Sequence, residues 1–266
     1  MKSVEYFVAN PAGNITIFVV SPAERSEYQE IAKRLLAIDE LHGEQVGFIK
    51  EGNRMEMCGL EFCGNASRSF ALWYAKNRAG IDGKGKVTVD VSGADAPIDV
   101  EIDTRTSYTK IEMPMPKQVL NWREVGSDGI DGVLVDLGGI MHLVLWDVTA
   151  SEDLFNKYKN EINGKYNPPA MGVMFVNKKT LEMTPVVYVR DVDTTYFEGS
   201  CGSGSVATAV ALSLEKAPGA HSFELTQPAG KIVASVVKGA ETSASVAGIE
   251  KVYIEGPVEL GKEQSI

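Results

Sequence analysis

Residues 61–67 read EFCGNAS, and residues 200–205 read SCGSGS. In both stretches a Cys-Gly pair leads into a predicted helix, which covers 65–76 in the first case and is an apolar segment through Leu214 in the second. The repetition predicts two similar halves, each with a cysteine at the start of its own helix.

The elements around the two motifs follow the same order. Before each motif we predict two strands, a helix and a strand. In the first half the two strands lie within Glu5–Val20, the helix is Ser26–Ala37 with Ser26 as its N-cap, and the last strand is Val46–Lys50. In the second half the strands are Val133–Leu137 and Met141–Trp146, the helix is Ser151–Ile162, and the last strand is Gly172–Val176. A hairpin follows each motif, with turns at Gly93 and Gly230. These glycines lie 30 residues after Cys63 and 29 residues after Cys201.

The repeat sets the expected domain organisation. Residues 116–131 are polar and contain glycine, so we predict one domain at 1–117 and a second at 118–266. The last strand, Val252–Ile254, could pack on either domain.

Composition narrows the classes of function. The 266 residues carry a formal charge of -10, which repels phosphate backbones and argues against nucleic acid or an anionic membrane as a partner. The N-terminus has no signal-peptide pattern and no segment is apolar enough to span a bilayer, so we expect a cytoplasmic protein with a small-molecule ligand. Three widely spaced cysteines do not suggest a disulfide framework. A homodimer is compatible with the sequence, which does not fix the oligomeric state.

A cysteine at a helix N-terminus is placed for acid-base chemistry. The positive end of the helix dipole and the unpaired N–H groups favour a thiolate. Moving the pKa from about 8.5 to about 7 takes about 2 kcal/mol, the upper range of what a helix terminus supplies. We therefore expect Cys63 and Cys201 to titrate near neutral pH, one removing a proton from a carbon and the other returning one to its opposite face. That is the chemistry of a racemase.

Other polar residues have competing interpretations. Cys58 has Tyr196 at the matching offset of the second motif, so we interpret it as structural. His42, His142 and His221 could relay protons, although structural histidines are more frequent. Glu44, Glu61 and Glu198 could bind a substrate ammonium, but solvated carboxylates are the usual case. The glycines after Cys201 lack the lysine of a phosphate-binding loop, and no metal-ligand spacing is present.

The two Cys-Gly motifs resemble those of the diaminopimelate epimerase and proline racemase superfamily, with Gly13-Asn14, Gly47-Phe48 and Gln227–Gly230 as further landmarks. The resemblance implies an α/β (α+β) fold of two pseudo-symmetric domains, each a β-sheet or barrel wrapped around a central helix. It also implies an active site in a cleft between them, without pyridoxal phosphate, other cofactor or metal. Matched by position, Cys63 and Cys201 are the bases, and the substrate contacts are Asn14, Gly64, Asn65, Gly202 and Ser203.

Two segments depart from the diaminopimelate enzymes. Apolar residues stand at Gly139–Met141 and Pro168–Met171, where those enzymes hold the distal head of their substrate with polar side chains. The chain is more similar to the histidine racemases of opine-type metallophore biosynthesis, which implies that Glu44 lies near the substrate and that the apolar segments line an imidazole pocket. Alternatives are diaminopimelate or hydroxyproline epimerisation, a cysteine hydrolase with His142 as its base, and a binding protein that kept the fold.

Overall fold

The computed structural model describes residues 3–191, 193–240 and 245–266. The chain divides into two compact units, one formed by Met1–Glu112 with Glu255–Ile266 and the other by Met113–Ile254. The predicted domain division at 117/118 stays a prediction.

The first unit contains two α-helices and most of its strands before residue 113. Its elements are β1 Glu5–Asn10, β2 Thr16–Val19, α1 Tyr28–Leu36, β3 Gln45–Ile49, β4 Arg54–Met57, α2 Gly64–Asn77, β5 Lys84–Val91, β6 Ile98–Asp103 and β7 Tyr108–Glu112. The strands lie in the order β7-β6-β5-β4-β3-β2-β1. The pairs β2–β3 and β4–β5 are parallel, and the other neighbouring pairs are antiparallel.

The second unit repeats this plan with additional elements. They are β8 Gln118–Asn121, α3 Trp122–Val125, β9 Gly132–Asp136, β10 Met141–Trp146, α4 Glu152–Tyr166, β11 Ala170–Val176, β12 Met183–Val189, β13 Thr194–Phe197, α5 Gly202–Ser213, β14 Gly219–Gln227, β15 Gly230–Lys238 and β16 Ile249–Pro257. Six strands form the order β13-β12-β11-β10-β9-β8, and β14 and β15 form a hairpin. The unit boundary falls inside β16, after which β17 Glu259–Leu260 and β18 Gln264–Ser265 pair with β1 in the first unit.

The repetition predicted from the sequence is present in the order and direction of the strands. β1-β2-α1-β3-β4-α2-β5-β6 corresponds to β9-β10-α4-β11-β12-α5-β14-β15. The parallel pair β2–β3 has its counterpart in β10–β11. The parallel pair β4–β5 has its counterpart in a parallel bridge between Glu182 and Thr226.

Helices α2 and α5 are buried on nearly all sides. Eleven of the fourteen residues of α2 are buried, and it contacts β1, β5, β6 and β7. α5 contacts β9, β10, β11, β14 and β15 of its own unit. Strands therefore enclose both helices, whereas α1 and α4 bury one stripe each.

One local prediction is wrong. Ser26 does not cap a helix, since Arg25–Glu27 form a 3-10 turn in which the Glu24 N–H donates to the Glu27 carboxylate at 2.8 Å, and α1 begins after it with Glu27 at the N-cap position. Residues 116–131, where we predict the domain boundary, contain β8 and α3. Trp122 of α3 is fully buried in the hydrophobic cluster of the second unit, and this single aromatic residue anchors the segment.

Candidate active site

Each unit presents one cysteine at the N-cap of its buried helix. Cys63 has φ -130° and ψ 111°, and Cys201 has φ -129° and ψ 114°, so the two backbones are nearly superimposable at this residue. The Cys63 sulfur accepts the Ala66 N–H at 3.5 Å, and the Cys201 sulfur accepts the Gly204 N–H at 3.4 Å. The predicted position of both thiols at helix starts is confirmed.

The turn after β5 holds the segment that leads into Cys63. The Ser92 hydroxyl accepts the Met57 N–H at 2.8 Å and donates to the Glu61 carbonyl at 2.9 Å. Gly93, with φ 73°, lies so close that a Cβ atom on it would be 2.2 Å from the Phe62 nitrogen. Only glycine combines this backbone conformation with this approach.

The turn after β14 holds the segment before Cys201 in the same way. The Ala229 N–H donates to the Gly199 carbonyl at 2.9 Å. The Gln227 side chain accepts the Cys201 N–H at 2.7 Å and donates to the Ser205 hydroxyl at 3.0 Å. The nearly equal spacing of cysteine and turn glycine therefore reflects one repeated contact between hairpin and helix start.

A polar cluster surrounds Cys63. The Gln45 amide donates to the Cys63 sulfur at 3.3 Å and to the Asn14 Oδ1 at 2.9 Å. Asn14 donates through Nδ2 to the Glu44 carboxylate at 2.8 Å, and Asn65 Nδ2 donates to Asn14 Oδ1 at 3.4 Å. The structure thus brings the predicted residues Asn14, Glu44 and Asn65 together with Cys63, and adds Gln45.

The surroundings of Cys201 differ. Ser203 Oγ lies 3.5 Å from the Cys201 sulfur and 2.8 Å from His142 Nε2. His142 is fully buried, and burial lowers its pKa to about 3, so the imidazole is neutral. It reaches the thiol only through Ser203, which disfavours a cysteine hydrolase with His142 as the base.

Gly64 and Gly202 are the first residues of α2 and α5. The first N–H groups of a helix have no acceptor one turn earlier in the same helix, so they can bind an anion such as a carboxylate. Neither residue has a Cβ atom that could stand between these groups and a ligand.

The expectation that both thiols titrate near neutral pH is wrong. Desolvation by the surrounding protein raises the pKa of Cys63 and raises that of Cys201 well above the usual value. Hydrogen bonds at the helix starts act in the opposite direction but are outweighed. Both groups are therefore stronger bases than free cysteine once they are deprotonated.

Among the remaining candidates, Glu61 and Glu198 lie close enough to the thiols for their negative charge to add to the effect of burial, which raises the pKa of Cys63 and of Cys201. Cys58 packs against the hydrophobic cluster of the first unit, as expected for a structural residue. His221 bonds the Ala217 carbonyl on the surface, and His42 ends a short 3-10 turn. Met141 and Met171 belong to the core cluster beneath α4, so the expectation that they line a substrate pocket is wrong.

Sequence reasoning missed Gln45, Arg68 and Gln227 as site residues. Arg68 could have been noticed, because Arg68 and Lys76 are the two charged residues of the predicted helix 65–76, and Arg68 lies near its start. Among residues 3–191, 193–240 and 245–266, no group of three or more His, Cys, Asp or Glu side chains is placed to hold a metal ion. In the same residues, no helix is long and apolar enough to cross a membrane.

Comparison of the sequence with known proteins finds a family model and several relatives that match most of the chain. A family model described as "Histidine racemase CntK N-terminal domain" matches residues 3–263. A histidine racemase from Fusobacterium nucleatum is 31% identical over 276 residues, which cover 100% of this chain and 98% of the relative. A histidine racemase from Staphylococcus aureus is 27% identical over 241 residues, or 86% of this chain and 87% of the relative.

The fold is also found among solved structures. A hydroxyproline epimerase from Agrobacterium vitis with bound trans-4-hydroxy-L-proline matches with a TM-score of 0.68 and 11% identity, covering 100% of this chain and 91% of that one. At this identity the likeness shows the fold alone, a mixed α/β arrangement rich in strands. The predicted fold class is confirmed.

Proposed function

We propose that this chain, which belongs to the histidine racemase family and is an amino-acid racemase, interconverts L-histidine and D-histidine without a cofactor, using Cys63 and Cys201 as its two bases. The family resemblance inferred from the two Cys-Gly motifs is confirmed by the family model, which matches residues 3–263, and by a relative aligned over the whole chain. The substrate and the roles of individual residues are the proposal.

The observation that carries the two-base reaction is the repeated thiol at the helix start. One cysteine, as thiolate, removes the Cα proton and leaves the electron pair on Cα. The other, as thiol, donates its proton to the opposite face, so the configuration inverts and the two sulfurs exchange protonation states. The same helix-start geometry in both units, within 1° in φ and 3° in ψ, supports equivalent roles.

Removing a Cα proton requires stabilisation of the negative charge that develops. We assign this to the first-turn N–H groups at Gly64 and Asn65 in α2 and at Gly202 and Ser203 in α5, which would bind the substrate carboxylate. The raised thiol pKa values contribute as well, since a more basic sulfur is better matched to a weakly acidic C–H group.

Histidine is supported by the names of the relatives and by one local feature. The Asn14–Glu44 pair, close to Cys63, supplies a carboxylate that could accept a hydrogen bond from an ammonium or imidazole N–H. In the second unit, Gly138 and Gly139 lie in the corresponding connection between β9 and β10, so that connection has no side chain that repeats Asn14.

The test is incubation of the purified protein with L-histidine in D2O without added cofactor. We expect D-histidine labelled at Cα, with Cys58→Ala as an active control. Proline, hydroxyproline and diaminopimelate in parallel reactions identify the preferred substrate. No Cα label with any amino acid would contradict racemase activity, and label confined to another amino acid would reject histidine.

A further inference from the structure

The second unit contains an open cavity of about 500 Å³, a size typical of small-molecule sites. The cavity lies beside the connection between β10 and α4 and reaches Gln227 and Pro228 at the turn between β14 and β15. We propose that it binds an organic cation with a guanidinium or ammonium head. All residues that line it belong to the second unit, and its ligand is distinct from the substrate of the proposed racemisation.

The walls of the cavity suit a cation with a short apolar body. They include carboxylates, hydroxyl groups and buried apolar side chains, among them Asp147, Glu182, Thr184, Thr226, Phe175 and Met183. Among the described residues that line the cavity, none is a lysine, arginine or histidine. Carboxylates and hydroxyl groups accept hydrogen bonds from N–H groups, and the carboxylates repel an anion.

The two carboxylates have neutral partners. The Glu182 carboxylate accepts the Thr180 hydroxyl at 3.1 Å, and that of Asp147 accepts the backbone N–H of Lys178 at 3.0 Å. Within the described ranges of the chain, neither carboxylate forms an ion pair. The Lys178 ammonium lies over the Trp146 ring, 5.3 Å from its centroid. A cation in the cavity therefore meets negative charge that no side chain has neutralised.

One backbone hydrogen bond identifies equivalent positions in the two units. In the first unit the Lys50 N–H donates to the Arg54 carbonyl at 2.9 Å, and in the second the Asn177 N–H donates to the Glu182 carbonyl at 2.9 Å. These bonds close the turns between β3 and β4 and between β11 and β12. Arg54 and Glu182 are therefore equivalent.

The strand pairing gives the same register. Arg54 has Asp90 as its neighbour on the parallel strand β5, and Glu182 has Thr226 in the corresponding parallel bridge. An arginine beside a carboxylate in the first unit is thus replaced by a carboxylate beside a hydroxyl in the second. At this place the second unit has a carboxylate without the guanidinium that accompanies it in the first.

The first unit packs two guanidinium groups at the matching place. Glu56 bonds Arg25 at 2.6 Å and Arg54 at 2.9 Å, and Arg54 also bonds Asp90. Thr184, with a short neutral side chain, stands where the first unit has Glu56. A ligand with a guanidinium or ammonium head restores in the second unit the kind of contact that the first unit makes with its own side chains.

Two other ligand classes fit the cavity less well. Throughout the described residues, no group of three or more His, Cys, Asp or Glu side chains is placed to hold a metal ion. The N-terminus of α4 follows the β10–α4 connection and favours an anion, but its first turn carries Glu152 and Asp153, whose charge opposes that effect. The negative charge of the walls therefore favours an organic cation.

One wall contains the residue that holds the segment before α5. The Gln227 side chain lines the cavity, and its amide bonds the Cys201 N–H and the Ser205 hydroxyl. A ligand that packs against Gln227 restricts the movement of this side chain. We therefore expect the hydrogen exchange of the Cys201 amide to be slower in the bound protein.

Calorimetric titration with agmatine tests the site, because agmatine carries a guanidinium and an ammonium on a short methylene chain. We expect saturable binding that weakens as the salt concentration rises. Glutarate, a dianion of similar length, should not bind. No binding of agmatine, or equal binding of glutarate, would overturn the proposal.

Substitutions test the location of the bound cation. Glu182→Gln and Asp147→Asn should each weaken agmatine binding by about tenfold or more through loss of a charged acceptor. Glu101→Gln, at an exposed position of the first unit, makes the same change of charge and should leave binding unchanged. Thr226→Arg places a guanidinium beside Glu182 and should block binding. If Thr226→Arg does not fold, the two carboxylate variants carry the test; undiminished binding in both of them would overturn the site.

Hydrogen exchange and activity separate the remaining outcomes. Agmatine should slow the exchange of the amides at residues 147–150 and of Cys201. Slower exchange only at residues away from the cavity would overturn the site, and an unchanged Cys201 amide would exclude the effect through Gln227. Agmatine binding by a protein that racemises no amino acid would reject the proposed function and support the cation site.

Discussion

At the scale of single residues, each cysteine has two functions. Its sulfur accepts the N–H three residues later and caps a helix, and it is the proposed acid-base group of its unit. Serine and alanine substitutions separate the two functions, because a serine hydroxyl still caps a helix and alanine does not.

We expect Cys63→Ser and Cys63→Ala to abolish racemisation equally but to differ in stability. Serine should leave the free energy of unfolding nearly unchanged, and alanine should lower it by about 1 kcal/mol through loss of the cap. Denaturant unfolding with an activity assay measures both. Residual racemisation in either variant would show that the Cys63 thiol is dispensable, and equal stability would reject its capping role.

Gly93 offers a second test at this scale. Gly93→Ala places a Cβ atom 2.2 Å from the Phe62 nitrogen, so we expect a loss of about 3 kcal/mol or more in the free energy of unfolding and a fall in activity. Gly52→Ala is the matched control, since Gly52 has φ 71° and nothing within 4 Å of the added carbon. In the control, the free energy of unfolding should fall by about 1 kcal/mol, the cost of a left-handed backbone conformation at alanine. Similar losses in both variants would mean that the contact with Phe62 is unimportant.

At the scale of elements, the hairpins after α2 and α5 position the helix starts. The buried Gln227 side chain is the link in the second unit, with one bond to the Cys201 N–H and one to Ser205. A neighbouring element therefore determines where the reactive sulfur lies.

Removing this link should affect both stability and activity. Gln227→Leu leaves the Cys201 N–H without its acceptor. We expect the free energy of unfolding to fall by about 1–3 kcal/mol and racemisation to become slower. Gln227→Glu retains the acceptor and should recover part of each effect. Gln118→Ala, at an exposed site on β8, should change stability by less than about 0.5 kcal/mol. If Gln227→Leu unfolded at the same denaturant concentration as Gln118→Ala, the link would have no structural importance.

The elements predicted correctly from the sequence are those with a clear apolar period and with glycine-containing turns at their ends. Helices after Cys63 and Cys201, the strand Met141–Trp146 and both hairpins follow from apolar patterns and turn glycines. β8 and α3 were missed because each is only four residues long, too short for a clear period, although Leu120, Trp122 and Val125 pack in the core cluster. Gln45 and Arg68 act through contacts between distant parts of the chain, and the thiol pKa values depend on burial, which no local pattern states.

At the scale of the whole molecule, 36 Asp and Glu residues outnumber 26 Lys and Arg residues. Glu56 is a carboxylate with a 4% exposed side chain, and it bonds Arg25, Arg54 and Tyr28. Hydrogen bonds from Arg25, in the first place, lower the pKa of Glu56 to about 2. In the unfolded chain this carboxyl has an ordinary pKa of about 4.5.

The shift makes stability depend on pH. A lowered folded-state pKa contributes stability that is complete above about pH 4.5 and is lost as pH falls toward about 2. We expect Glu56→Gln to lower the free energy of unfolding at neutral pH by about 2 kcal/mol and to reduce its acid dependence in this window. Asp82→Asn, in an exposed pair with Arg105, is the control and should leave the free energy of unfolding nearly unchanged. Parallel acid dependence in Glu56→Gln and the unmodified protein would assign the acid sensitivity to other groups.

The helix caps also connect catalysis to backbone motion. An N–H···S hydrogen bond is stronger when the sulfur is charged, so the Ala66 and Gly204 amides hold their helix starts more tightly in one protonation state than in the other. If the sulfurs exchange protonation states in each turnover, one helix start loosens while the other tightens. The hydrogen-exchange rates of these two amides would then report, from the backbone alone, which sulfur holds the proton.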